Sequence, residues 1–110
     1  MNTLTPHALL DQVKDTPSLV DFTTVMDVIN THYEYTPTLF KNGDVENSSG
    51  TNEGSCKIFA FAKFHHLSEA QTLALFGTYY RDDVLGNPSG SDHANIRNFM
   101  QTGWAGVRFE

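Results

Sequence analysis

The sequence predicts a single α+β domain, mainly helical, with a small antiparallel sheet made of a hairpin and a C-terminal strand. Three observations carry that expectation. Phe22, Val25, Met26, Ile29 and Tyr33 recur at spacings of three and four, the strongest helical period in the chain. Lys41-Asn42-Gly43-Asp44 is a hairpin signal after the strand-forming run Tyr35 to Phe40, because Asn-Gly tolerates the positive φ angles of a tight turn. Trp104 to Phe109, after Gly103, can form a last strand docked beside the hairpin. The 110 residues fit one domain spanning 1–110, and a chain of that size buries a core without a metal or disulfide staple.

Each element has its own signal. Thr5-Pro6 reads as an N-cap followed by proline at the first helical position, and Leu9, Leu10 and Val13 give a short amphipathic helix. Thr16-Pro17-Ser18 stops it and starts the next, with Asp21 suited to the positive end of the helix dipole. Pro37 marks an edge or a bulge in the following strand, and the return strand from Val45 dissolves into the loop Asn47 to Gly54. Ser55 is expected to cap a helix from Cys56 to about His65, apolar nearly all round and therefore central and buried. A buried strand competes there; three alanines and the segment's length favour helix.

Ser68 and Gln71 form a capping box, and the helix it opens carries Leu73, Phe76, Tyr80 and Val84 on one face before Gly86-Asn87-Pro88 ends it. Ser91 is expected to cap a last helix with Ala94, Ile96, Phe99 and Met100 inward, closed by Gly103.

Composition excludes several classes. The formal net charge is −6, and the seven Lys and Arg residues form no basic stripe, which argues against a nucleic-acid partner and against anionic lipid. No apolar stretch approaches the ~20 residues of a membrane span, and Met1 to Pro6 has no signal-peptide character. Cys56 is the single cysteine, so no internal disulfide forms, which fits a reducing, cytoplasmic setting. The sequon Asn47-Ser48-Ser49 is read as chance in a chain without an export signal.

Four segments together resemble a known family: Phe40-Lys41-Asn42-Gly43; Asn52-Glu53-Gly54-Ser55-Cys56-Lys57; Phe76-Gly77 with Tyr79-Tyr80-Arg81; and Asn87 through Arg97. They look like the HopJ type III effector family, and the resemblance covers essentially the whole chain. It implies a bacterial protein, delivered in pathogenic relatives through a type III system into a host, where a host protein would be its partner. It names no chemistry and supplies no catalytic residues. Similar small proteins outside such pathogens make a housekeeping role equally compatible with it.

The polar segments hold the candidate chemistry. Cys56 at a helix start, beside Lys57, has a setting that lowers a thiol pKa, with His65, His66 and His93 as candidate bases. The competing reading, a small side chain packed in the core, is favoured. His65 and His66 diverge by about 100° on a helix and sit where the dipole welcomes histidine, so no zinc signature exists and no metal or cofactor is expected. Asn42, Asp44, Glu46 and Glu53 match positions one, three, five and twelve of a calcium loop, but Asn47 stands where glycine is needed.

Gly50 to Lys57 resembles a phosphate loop without satisfying it, although a glycine-rich entry to a helix still offers amides to an anion. If the two helix starts converge, Ser55, Cys56, Lys57, Ser91, His93 and Arg97 become the candidate ligand-binding set, with Tyr79, Tyr80 and Trp104 as flanking rings. The competing reading is that both loops cap helices and bond to each other. The favoured function is a small soluble binding module for a small polar ligand or a protein. The alternative is a hydrolase or transferase using Cys56 or His93, with Arg97 as an anion clamp.

Overall fold

Thr5 accepts a hydrogen bond from the Ala8 amide at 3.1 Å and opens helix α1, Pro6–Asp15, with proline in its first turn. The protein is described by a computed structural model over residues 5–34, 38–50 and 52–109. A 3-10 turn, Pro17–Leu19, separates α1 from α2, Phe22–His32. Strands β1, Phe40–Asn42, and β2, Val45–Asn47, follow; then α3, Glu53–Phe64, and α4, Glu69–Ala74. A π-helical turn, Tyr79–Val84, precedes α5, Ala94–Thr102, and β3, Val107–Phe109, completes the chain after a 3-10 turn, Gly103–Gly106.

The sheet has the order β2-β1-β3, both pairings antiparallel. The expected hairpin and C-terminal strand therefore form one small sheet. Its turn is shorter than expected. Asn42 pairs with Val45, so Lys41 and Asn42 belong to β1 and only Gly43 and Asp44 turn the chain. Gly43 has φ +61°, which a first central turn position of this kind demands and glycine adopts without penalty. The expected strand residues 35–37, Pro37 among them, lie outside the described residues.

The central helix is α3. It buries Cys56, Ile58, Phe59, Phe61 and Ala62. It is not buried all round: the apolar side chain of Phe64 is 71% exposed. Phe59 is the hub, with the rings of Phe40, Phe76, Phe99 and Trp104 centred 5.0 to 6.3 Å from its own, mostly edge-on or tilted as ring quadrupoles prefer. From α1 and α2, Leu9, Val13, Val25, Val28 and Ile29 close the same core.

Three boundaries depart from the sequence reading. Helix α3 starts at Glu53, not Cys56, with Asn52 as N-cap at φ +49°. Asparagine tolerates the left-handed region better than most residues, which moves the start forward and leaves Ser55 inside the first turn. Leu73, Phe76, Tyr80 and Val84 do not share one helix. Gly77, at φ +61°, breaks it, and a Cβ there would lie 2.8 Å from the Phe22 backbone nitrogen. Helix α5 begins after His93, at φ +53°, and Ser91 does not cap it. Its inward face is Asn95, Ile96 and Phe99, whereas Ala94 and Met100 are exposed.

The capping box is formed as the sequence implies. Ser68 Oγ accepts from the Gln71 amide at 3.1 Å, and the Ser68 amide donates to Gln71 Oε1 at 2.9 Å. Trp104 ties the C-terminal end to this corner through its indole N–H, which donates to the Leu67 carbonyl at 3.0 Å. Among the described residues, no helix is long and apolar enough to cross a membrane.

Candidate functional site

Two glycine-rich loops enter α3 and α5, and the two helix starts face each other across a cavity of about 470 Å³. Asn52, Ser55, His93 and Asn95 supply its polar wall. Phe22, Phe76, Tyr79 and Ile96 supply the apolar one. The volume is in the range of small-molecule pockets, and the mixed lining is typical of them.

A buried carboxamide network positions this wall. Asn47 Nδ2 donates to Asn95 Oδ1 at 3.1 Å, and Asn95 Nδ2 returns a bond to Asn47 Oδ1 at 3.0 Å. Asn42 Nδ2 donates to the Asn95 carbonyl at 2.6 Å and to its Oδ1 at 3.1 Å. Asn52 Nδ2 donates to Asn47 Oδ1 at 2.6 Å, bringing the N-cap of α3 into the same network. The hairpin is thus stitched to the starts of both helices. Asn42, Asn47 and Asn95 are buried, and such groups are tolerated only when bonded to one another. Asn42 Oδ1 is the exception, buried without a hydrogen-bond partner among the described residues.

The sequence reading named Asn42, Asn47, Asn52 and Asn95 only as loop, turn or motif residues. The detectable signal was four asparagines at turn-like positions. Nothing in their spacing says that they meet.

His93 is held from behind. Its Nε2 lies 3.1 Å from Asp83 Oδ2 and 3.7 Å from Asp92 Oδ2. Against a carboxylate that contact is an Nε2–H donating to Asp83. The ring packs against Tyr79 at 5.1 Å, and Tyr79 meets Phe22 edge-on at 5.0 Å. Asp83 is therefore engaged with His93. Arg81 donates to the Pro17 carbonyl at 3.3 Å.

The structure distributes the six sequence-derived candidates unevenly. Ser55 and His93 line the cavity. Cys56 is buried, and its thiol donates to the Thr38 carbonyl at 3.9 Å, the packed position of a core cysteine. Lys57 lines a separate apolar groove beside Tyr33, Phe61 and Phe64. Ser91 is exposed in the loop outside the cavity wall.

Arg97 closes its own loop. Its Nε donates to the Asp92 carbonyl at 2.6 Å, Nη1 to the Asn87 and Pro88 carbonyls at 2.9 and 3.3 Å, and Nη2 to Asp92 Oδ1 at 2.6 Å. That hydrogen bond, together with the charges of Arg97 and His93, holds the Asp92 carboxyl below the usual carboxylate range. The loop that presents His93 is thus shaped by an arginine clasp. Trp104 lies at a different groove, with Leu67 and Val107. Among the described residues, no group of three or more His, Cys, Asp or Glu is placed to hold a metal ion.

The sequence model described as HopJ type III effector protein matches residues 6–110 of the chain. Among solved structures, the chain is similar to one described as the crystal structure of unknown function protein VPA0580. The two share 48% identity over 94% of this chain and 87% of that one, with a TM-score of 0.93. No curated protein matches.

Proposed function

The chain belongs to the HopJ type III effector family, and we propose that it is a small binding module whose ligand, a small polar molecule, occupies the cavity between the Asn47–Cys56 and Asn87–Asn95 loops. The convergence of Asn52, Ser55, His93 and Asn95 on one cavity, from loops about forty residues apart in sequence, carries this reading. The network behind the cavity supports it too. It fixes the wall before any ligand arrives, which reduces the ordering cost of binding. A protein partner is the other occupant of this class, a host protein in relatives that are delivered through a type III system. We place the resident protein in the bacterial cytoplasm, where a lone reduced cysteine is stable.

The hydrolase or transferase reading keeps one favourable observation, a histidine oriented by a carboxylate in a cavity wall. Its cysteine version requires an accessible thiol, and Cys56 is buried. Its anion clamp requires Arg97, whose donors are spent on Asn87, Pro88 and Asp92.

Native mass spectrometry of untagged protein, purified without chelator, tests the proposal. Added mass that survives gentle ionisation, disappears on denaturation and is lost in Ser55→Ala supports a ligand in the cavity. Added mass retained at full strength in Ser55→Ala and in Asn52→Gly would place binding elsewhere. A bare chain under every purification condition would count against a tightly held ligand and shift weight to a protein partner.

A further inference from the structure

We propose that the cavity selects a neutral, hydroxyl-rich ligand, of sugar or polyol chemistry, and rejects anions; this rests on reading the cavity as a binding site. The charge around it carries the first half of the argument. No lysine or arginine lines the wall. Arg97, the nearest cation in sequence, spends its guanidinium on Asp92 and on the carbonyls of Asn87 and Pro88. Asp83 and Asp92 both stand within 4 Å of His93, and Glu53 begins α3 directly beside Asn52. The starts of α3 and α5 contribute roughly half a positive charge each. Against that single unit stand three carboxylates, and the one guanidinium among them is already committed to Asp92 and its own loop. A phosphate or carboxylate would enter against this field, in a chain that already carries a net charge of −6.

The second half is the hydrogen-bonding and shape complement. Ser55 Oγ, Tyr79 Oη and Asn52 Oδ1 have no hydrogen-bond partner among the described residues. Two hydroxyls that both donate and accept, together with one amide oxygen, are matched by ligand hydroxyls, which also do both. Tyr79, 42% exposed and braced edge-on by Phe22, presents a ring for the C–H face of a sugar. An anion would satisfy only the donors. A cation would satisfy only the acceptors.

The test is a two-dimensional amide NMR titration of the full chain with a panel of neutral sugars (glucose, galactose, mannose, ribose and sucrose), with inorganic phosphate and choline as charged probes. The expected result is saturable shifts at Gly54, Ser55, Ala94 and Asn95 with at least one sugar, and none with phosphate or choline. Ser55→Ala should weaken that sugar by about fivefold to tenfold, the value of one neutral hydrogen bond. Asn52→Gly, which keeps the left-handed cap accessible, provides a second variant that should fold. Saturation by phosphate or choline with every sugar silent would overturn the neutral-ligand proposal and leave the binding cavity standing. Silence towards the whole panel would count against both.

Discussion

Asn47 and Asn95 exchange a reciprocal pair of carboxamide hydrogen bonds, at 3.1 and 3.0 Å, across the buried junction between the hairpin and α5. The pair is the centre of the network behind the cavity, so its removal strands several partners at once. Asn95→Ala leaves the Asn47 carboxamide without both of these bonds and removes one acceptor of Asn42. The expected loss is roughly 1–3 kcal/mol, read as a lower denaturant midpoint with an unchanged slope. A variant as stable as the parent would show that the network contributes nothing to the fold.

Gly77 is set between α4 and the π-helical turn, against the start of α2. A methyl group there meets the Phe22 backbone nitrogen at 2.8 Å, and φ is +61°. Both costs act in the folded state, and backbone does not swing aside as a side chain does. Gly77→Ala should therefore lose more than the ~1 kcal/mol typical of a positive-φ substitution, measured by thermal or denaturant unfolding. Because Phe22 lines the cavity, the same variant should also disturb the amide resonances of Gly54 and Ser55.

Acid should weaken the fold in two separable steps. Burial, aided by the neighbouring charge of His66, lowers the His65 pKa below 6.5, so the unfolded chain takes up that proton first. Its contribution is complete above about 6.5 and is lost as the pH falls from there through the folded value. Asp92 follows at lower pH: its contribution is present above 3.8 and is lost as the pH falls through its depressed folded value. Arg97→Lys should raise the Asp92 pKa towards the ordinary range, because the guanidinium hydrogen bond is the largest cause of the shift. Carboxyl-detected NMR titration reads this directly, and an unmoved Asp92 would refute the clasp.

Cys56 should resist alkylation in the native protein. It is 2% exposed and packed in the core beside Ile58 and Phe59. Iodoacetamide at neutral pH should label it only as fast as the protein opens, with labelling accelerating sharply in denaturant. Rapid, stoichiometric labelling without denaturant would restore the thiol as a candidate nucleophile.

Local signals were legible wherever a short stretch settles its own geometry. The capping box of Ser68 and Gln71, the Thr5-Pro6 start and the hairpin at Gly43 each depend on residues within a few positions, and each forms. The bounds of α3 and α5 were not legible, because Asn52 and His93 take the cap positions in left-handed backbone conformations, whereas Ser55 and Ser91 nearby carry the usual capping side chain. The break at Gly77 was hidden for a related reason: its cause is the Phe22 backbone, fifty-five positions away in the chain.

By itself the sequence determined the α+β class, the helical periods, the turns and the two polar loops in which the site was sought. Those properties follow from backbone sterics and from the spacing of apolar side chains, which act over a few residues. Only the tertiary structure decided which polar side chains share a cavity. It brought Ser55 and His93 to one wall, buried Cys56, turned Lys57 to another groove, left Ser91 outside and committed Arg97 to its own loop. The reason is that buried carboxamides must find partners wherever the packing places them, and Asn47 and Asn95, forty-eight residues apart, found each other.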